Sequence, residues 1–500
     1  MEWFAGARIA LTPRPVERRI AALEAAMLGH CPGRVRLERL LQLPAALADM
    51  RAVGYGLAVD ALLRPGAVSE LYHLPIPLQS SAEFHDIFPD ALDANTEYVS
   101  LLAGKQAWLG LAVDDFFANG GEKLWVVRIP EASGQAGFLP AANTELHDID
   151  SLQGLATVLV IPALGLVSFP DLERLQVPPR LPDIPRVRLE NNDPQFLPCT
   201  QNSDDDHRER RYGSELNDMP APWALADVLR GILRFVVSHR PDVQCLFTLP
   251  LAYSGELDSP VLDPAALTAL AGYQDNPEHA QVLRHVQFLF PYLRGPRFSL
   301  LTPAGLIAGQ QAAVARRYGP WRSMAARPLN SDALPYPRLS IAQTLALRDE
   351  PGISVIRYRK SFSGRGQLLL DDERLVVPAL PAADYPFDKQ RYDGFRSAEA
   401  MRFLGFLRRQ LQMLGEQLIF NLDYRDPRPR LLLEQFFRRL YSQGALRGAS
   451  AEQAFSISET TPQEGALVYE IMVAPAFPID RLFLTFTNLN GEWRAEVVDG

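Results

Sequence analysis

Cysteine is scarce in this 500-residue chain: Cys31, Cys199 and Cys245 lie far apart and are odd in number. That excludes a disulfide framework or a cysteine metal knuckle and suits a reducing compartment. The eight histidines are scattered, and each reads as an ordinary surface or core side chain. Positive charge is not in excess either. The net charge is −9, so nucleic acid is not an expected partner. The longest apolar run, Gly154–Phe169, is broken by Pro162 and is too short to span a bilayer, so membrane insertion is not expected. The start carries Glu2 and no basic stretch followed by an apolar core, so no signal peptide is expected.

The common catalytic signatures are also missing. No phosphate-binding P-loop, HExxH or CxxC occurs. Gly364-Arg365-Gly366 lacks the third glycine of a dinucleotide fingerprint. Gly448-Ala449-Ser450-Ala451-Glu452 lacks the last glycine of a nucleophile elbow, and Ser450 is better used as a helix cap. Asp114/Asp115 and Asp371/Asp372 are adjacent pairs, which spacing does not arrange as a facing acid and base. Asn202–Arg211 (NSDDDHRERR) reads as a solvated loop. Asp204–Asp206 and His207 are sequence neighbours and cannot all turn to one ion. No catalytic, cofactor-binding or metal-binding residue is expected.

What is present is the material of a large α/β protein. Apolar content of 47% and charged content of 22% are globular values, and the length allows two or more domains. The 41 prolines point to many loops and arms. Periodicity predicts helices over Val16–Met27, Val35–Met50, Ala107–Phe117, Trp223–Val237, Ala265–Gly272, His279–Leu283 and Ser397–Ile419. Strands are expected at Leu124–Ile129, Leu152–Pro162, Val243–Leu249, His285–Phe290, Arg481–Phe486 and Trp493–Val498. Thr302-Pro303-Ala304-Gly305 opens another helix, which Gly305 and Gly309 allow to pack closely. Pro178–Asp218 is a proline-rich, then polar, loop, and Trp3–Thr12 could be an extended arm.

The stretch Arg428–Ile457 organises the rest. Leu432/Leu433, Phe436/Phe437 and Leu440/Tyr441 recur four apart and make one apolar helical stripe. Gly444 stands where a C-cap glycine belongs, and Ser450 with Gln453 fits a capping box for a second short helix. Phe455 then begins a strand. This wording, L-x-x-Q-G-A-L-x-G-x-x-x-E-x-A-F, resembles the C-terminal domain of the tail sheath proteins of contractile phage tails and related injection systems. Phe116–Ile129 (FFANGGEKLWVVRI) closely resembles a second segment of that family, and Ser80–Phe88, Phe290–Leu293, Gly352–Arg357 and Glu470–Pro475 resemble others in the same order. The resemblance spans roughly Ser80 to the end. The family's N-terminal arm motif is absent. Ala315-Arg316-Arg317-Tyr318 stands where the family has A-R-x-D.

The resemblance implies a multi-domain α/β fold. Residues 1–70 would be a divergent helical segment with a possible arm, and 71–325 an outer α/β region. Residues 326–480 would be an inner α+β C-terminal domain, and 481–500 a C-terminal arm. It implies a structural subunit that stacks as hexameric rings around an inner tube and contracts to drive that tube through a target envelope, without cofactor. The terminal arms would donate strands to neighbouring subunits, with Phe483, Leu484, Phe486, Trp493 and Val497 as candidates. Arg438, Arg439 and Arg447 would contact an acidic tube. Expected partners are other copies of the chain, the inner tube protein, and baseplate and terminator proteins. The expected place is the cytoplasm of the producing bacterium, in a phage tail or tail-like particle. A second reading is a non-contractile ring of the baseplate or cap, and a third is an α/β enzyme.

Overall fold

A computed structural model describes residues 20–33, 35–89, 107–141, 143–177, 223–253, 260–274, 281–295, 300–349, 351–360, 366–377, 394–418, 427–460, 466–476, 482–489 and 492–498. The expected arm at Trp3–Thr12, the Pro178–Asp218 loop with its acidic cluster and Cys199, and His279 lie outside these residues.

Five strands whose every residue is buried, or nearly so, form the centre. β1 (Glu24–Gly29) has β3 (Leu124–Arg128) on one side and β4 (Leu164–Ser168) on the other. β5 (Gln244–Thr248) and β8 (Val286–Phe290) follow, all parallel. Continuous runs such as LWVVR and VQFLF suit strands covered on both faces, as parallel sheets are. β13 (Ser354–Lys360) adds a further parallel pairing, and β14 (Gly366–Leu370) and β11 (Pro328–Leu329) close that side antiparallel. β2 (Pro75–Leu78) closes the other edge antiparallel to β3; Pro75 and Pro77 deny donors to further pairing there. The whole is a nine-stranded mixed sheet. Two small sheets, β6–β7 (Leu251–Tyr253, Pro260–Leu262) and β10–β9–β12 (Leu300–Leu301, Tyr292–Arg294, Leu334–Tyr336), sit beside it.

Two expectations are corrected here. Val16–Met27 is not a helix: among its described residues, Glu24–Met27 open the central strand β1. Ala, Met and Leu are good helix formers, but burial between β3 and β4 overrides that weak preference. The expected strand at Leu152–Pro162 holds a single helical turn, α6 (Ala156–Leu159); the strand starts after Pro162, at Leu164. Val35–Met50 is helical but divided by Pro44 into α1 (Leu37–Leu41) and α2 (Pro44–Ala52), with α3 (Gly56–Leu62) following.

The remaining helices are α4 (Ser81–Ile87), α5 (Leu109–Ala118), α7 (Pro170–Gln176), α8 (Leu225–His239), α9 (Pro264–Gln274), α10 (Ala304–Tyr318), α11 (Ile341–Asp349) and α12 (Ala398–Leu418). Of these, α5, α8, α9, α10 and α12 fall close to expectation, while α4, α7 and α11 are not among those expected. α5 and α10 pack in unusually close contact. A Cβ on Gly305 would come within 3.0 Å of the Ala112 carbonyl oxygen, and one on Gly309 equally near that of Phe116. The two glycines, one turn apart, let the backbones touch as the sequence suggests.

A second apolar core lies on the C-terminal part. α13 (Arg428–Ser442), α14 (Ala451–Ala454) and the antiparallel sheet β15 (Phe455–Thr460), β16 (Ala466–Val473), β17 (Leu482–Leu489) and β18 (Glu492–Val498) enclose it. α12 joins the two cores. Phe403, Leu407 and Leu411 face the second, while its arginines reach the first. Arg402 holds the buried Glu373 through both carboxylate oxygens, at 2.8 and 3.0 Å. Arg409 meets Asp242, giving 2.6 Å to its carbonyl. Among the described residues no helix is long and apolar enough to cross a membrane.

Candidate interaction surface and filled crevice

α13 is built as its spacing demands. Leu433, Phe437 and Leu440 are buried at positions i, i+4 and i+7, while Leu432, Phe436 and Tyr441 line the rim. Gly444 adopts a positive φ of 75°. Its N–H donates to Tyr441 O and that of Ala445 to Leu440 O, both at 3.0 Å. This is the Schellman pairing that ends a helix. The expected capping box is not formed: Ser450 caps no backbone N–H, and Gln453 Oε1 accepts from Ala449 N at 3.1 Å, one residue before the cap.

Arg438, Arg439 and Arg447 all lie exposed about the C-terminal end of α13, where a cation also complements the helix dipole. Arg438 sits 3.7 Å from Glu452, a loose pair at 57% and 71% exposure that binds neither firmly. Arg322, from the segment after α10, reaches the same helix end, 3.5 Å from Gly444 O. Sequence reading missed it, because nothing in the sequence brings residue 322 to residue 444.

The terminal strands pair within their own chain. Leu484 and Phe486 are buried in the second core. By register Phe483 stands opposite Met472 and Val498, Trp493 opposite Asn488, and Val497 opposite Leu484. Residues 482–489 and 492–498 thus form a hairpin completing the four-stranded sheet, with β15 and β18 as its edges.

The parallel strands run in the order β3-β1-β4-β5-β8, so the chain changes direction between β1 and β4. In such sheets the crevice beyond those strand ends is the usual ligand site, where helix N-termini attract anions. Here the chain fills it with its own carboxylate. Asp171, wholly buried, accepts from His30 N at 2.8 Å, from Trp108 N at 2.8 Å and from Leu109 N at 3.1 Å at the start of α5. Arg174 Nε donates to it at 2.8 Å and Arg174 Nη2 meets His30 Nδ1 at 2.9 Å. Burial pushes the His30 imidazole below its usual range, so it stays neutral. Among the described residues no group of three or more His, Cys, Asp or Glu is placed to hold a metal.

Next to it, Glu173 accepts from Thr248 N at 3.0 Å and from the Thr302 hydroxyl, tying α7 to β5 and to the start of α10. Burial raises its carboxyl to about 7 against the pull of those hydrogen bonds. The folded value lies above the unfolded one, so this group's contribution is full below about 4.5 and is lost as pH rises through 7. Glu173→Gln removes that loss. The variant is expected to melt above wild type at pH 8 and to lose the advantage at pH 5; parallel melting curves at both values would refute the assignment.

No family model and no curated protein matches this sequence. Solved structures match along nearly its whole length. A chain of the anti-feeding prophage baseplate, determined by cryo-EM with six-fold symmetry, is 16% identical over 96% of this chain and 97% of its own, with a TM-score of 0.51. The two share a fold. The helical sheath of the same prophage in its contracted state aligns at 17% identity over 96% and 98%, with a TM-score of 0.49. A sheath tail protein from Desulfitobacterium hafniense aligns at 8% identity over 97% and 100%, with a TM-score of 0.47.

Proposed function

We propose that this chain belongs to the tail sheath family and is a structural subunit of a contractile tail or injection system. It would stack as six-membered rings about an inner tube and contract to drive that tube through a target envelope. The fold shared end to end with a protein of a six-fold baseplate carries the reading. The sheath-like segments lend support, since the helix, glycine cap, short helix and strand that their wording implies all occur at Arg428–Thr460.

The physics suits a device rather than a catalyst. Asp171 occupies the crevice an α/β enzyme would use for an anionic ligand. A subunit that slides against its neighbours without coming apart needs links that survive the motion. Strand addition provides them through backbone hydrogen bonds. β18 lies at the edge of its sheet, where it would pair across subunits. Trp493 and Val497 lie on this edge strand and would take this role directly, whereas Phe483, Leu484 and Phe486 lie on β17, paired on both sides, and would join only if the hairpin moved to a neighbour's sheet. Baseplate and terminator proteins would bound the stack.

Arg438, Arg439, Arg447 and Arg322 form the face offered to an acidic tube. Rim charges of this kind act mainly on association and its salt dependence. Arg438→Glu with Arg439→Glu is expected to abolish co-sedimentation with the tube protein while leaving the melting temperature within about a degree or two, as surface changes do. Normal tube-bound sheath in that double variant would overturn the assignment.

The second reading, a non-contractile ring, draws on the baseplate origin of the matching chain and on the missing N-terminal arm motif. Copy number per purified particle separates the two: hundreds of copies for a main sheath, one or two rings of six for a specialised ring.

A further inference from the structure

A cavity of about 390 Å3, within the size range of binding sites, opens where α3, the approach to β2 and residues 149–153 meet. Ala58, Ala61 and Leu62 of α3 line it, with Leu71, Leu74 and Leu152. Its frame is fixed. Tyr55 OH donates to Thr157 O at 2.8 Å. Leu71 and His73 take positive φ values of 54° and 56°, which L-residues adopt at a cost. Their N–H groups donate to Ser69 Oγ at 3.1 Å and to Arg128 O at 2.9 Å.

Three features ask for an occupant. The charge in the lining is the carboxylate of Asp150, exposed at the rim and in no ion pair among the described residues. Arg128, beside Tyr72, is already engaged by Glu70 at 2.8 Å. His73 Nδ1 accepts from Gly154 N at 3.1 Å, so the neutral ring carries its hydrogen on Nε2, which meets no acceptor among the described residues. Burial lowers this imidazole from its usual range and keeps it neutral. Leu57, one turn before Ala61, and Val68, next to Ser69, are 69% and 92% exposed. Apolar side chains exposed together about a cavity mark an interaction surface. The fitting partner brings apolar side chains, a cation and a carbonyl to accept from His73, which describes a basic, apolar peptide segment.

The chain holds such a segment. Residues 1–19 carry Trp3, Phe4, Ile9 and Leu11, with four arginines against two glutamates. Residues 90–106, 178–222 and 378–393, the other long stretches outside the described residues, each carry more carboxylates than cations. The pocket is within reach. Ile20 N is held by Arg316 O at 2.9 Å, and β1 follows. β1 stands two strands, about 10 Å, from β2, and Leu74 leads into β2. Nineteen extended residues span up to about 60 Å.

We propose that residues 1–19 fold back on their own subunit and dock in this pocket, with Trp3 and Phe4 among its apolar side chains and Arg8 at Asp150. Side-chain anchoring within one chain is distinct from strand addition between subunits and does not depend on the sheath reading.

The test is photo-crosslinking of the full chain at high dilution, carrying Trp3→p-benzoylphenylalanine, with products mapped by mass spectrometry. Irradiation should give intrachain crosslinks to residues 55–74 and 149–153. Asp150→Arg should cut their yield about fivefold, and Arg8→Asp in that background should restore it. Asp227→Arg, remote on α8, should leave the yield unchanged. Phe4→p-benzoylphenylalanine carries the test if the first variant does not fold. Crosslinks that are absent from these residues, that form only between chains, or that Asp150→Arg leaves undiminished overturn the site.

Discussion

Glu373→Ala is expected to cost about 3–5 kcal/mol, the range for removing one partner of a buried ion pair. Glu373 is wholly buried. Besides the ion pair with Arg402 and the bond from its Nη2, it accepts from Gln311 Nε2 at 2.9 Å, Ser323 Oγ at 2.8 Å and Met324 N at 2.8 Å. Burial alone would raise its carboxyl, but the Arg402 charge and these bonds outweigh burial and hold it below the usual range. The alanine leaves Arg402, itself buried, without this counter-charge and takes the acceptor from the Ser323 hydroxyl and Met324 N–H, while Gln311 Nε2 keeps its bond to Gln287 Oε1 at 2.8 Å. Because Arg402 lies on α12, the loss should loosen the joint between the two cores. The exposed pair Arg230–Asp227, at 71% and 54%, is the control; losing it should cost about 0.5 kcal/mol or less. Glu373→Met with Arg402→Met should recover much of the loss, since an apolar pair carries no desolvation cost. Denaturant midpoints measure all of these. A Glu373→Ala midpoint close to wild type would show that the joint does not depend on this pair.

Gly309→Ala is the second large effect, and its sign is the informative part. Within a helix, alanine normally gains about 1 kcal/mol over glycine. Here the added carbon meets the Phe116 carbonyl oxygen of α5, backbone that cannot swing aside as a side chain would. Overpacking of this kind costs about 1–3 kcal/mol or more, so the net change should be destabilising. Gly305→Ala meets the Ala112 carbonyl and should act likewise. The two together should cost less than their sum, because one substitution already parts the helices. Gly272 in α9 has nothing within 4 Å of its added carbon, so Gly272→Ala should stabilise. A stabilising Gly309→Ala would contradict the close α5–α10 contact.

Local signals were read well where local chemistry decides. α13 follows from its four-residue apolar spacing, its end from Gly444, and α5 with β3 from the Asn119-Gly120-Gly121 break. The failures share a cause. Glu24–Gly29 carries helix formers yet lies at the centre of a sheet, a position set by partners about a hundred residues later in the chain. The run from Gly154 to Phe169 is apolar throughout, so periodicity could not say which side of Pro162 would extend. Asp171 looks like an ordinary first-turn acid of a short helix. Its partners, Trp108 and His30, lie 63 and 141 residues away, and no motif announces them. Arg322 was invisible for the same reason.

The central claim is that these subunits polymerise as a sheath. Negative-stain electron microscopy of the purified chain, alone and with a candidate tube protein, tests that most directly. The account predicts stacked rings or striated cylinders, lengthening when tube is present. A monodisperse monomer under every condition would contradict it.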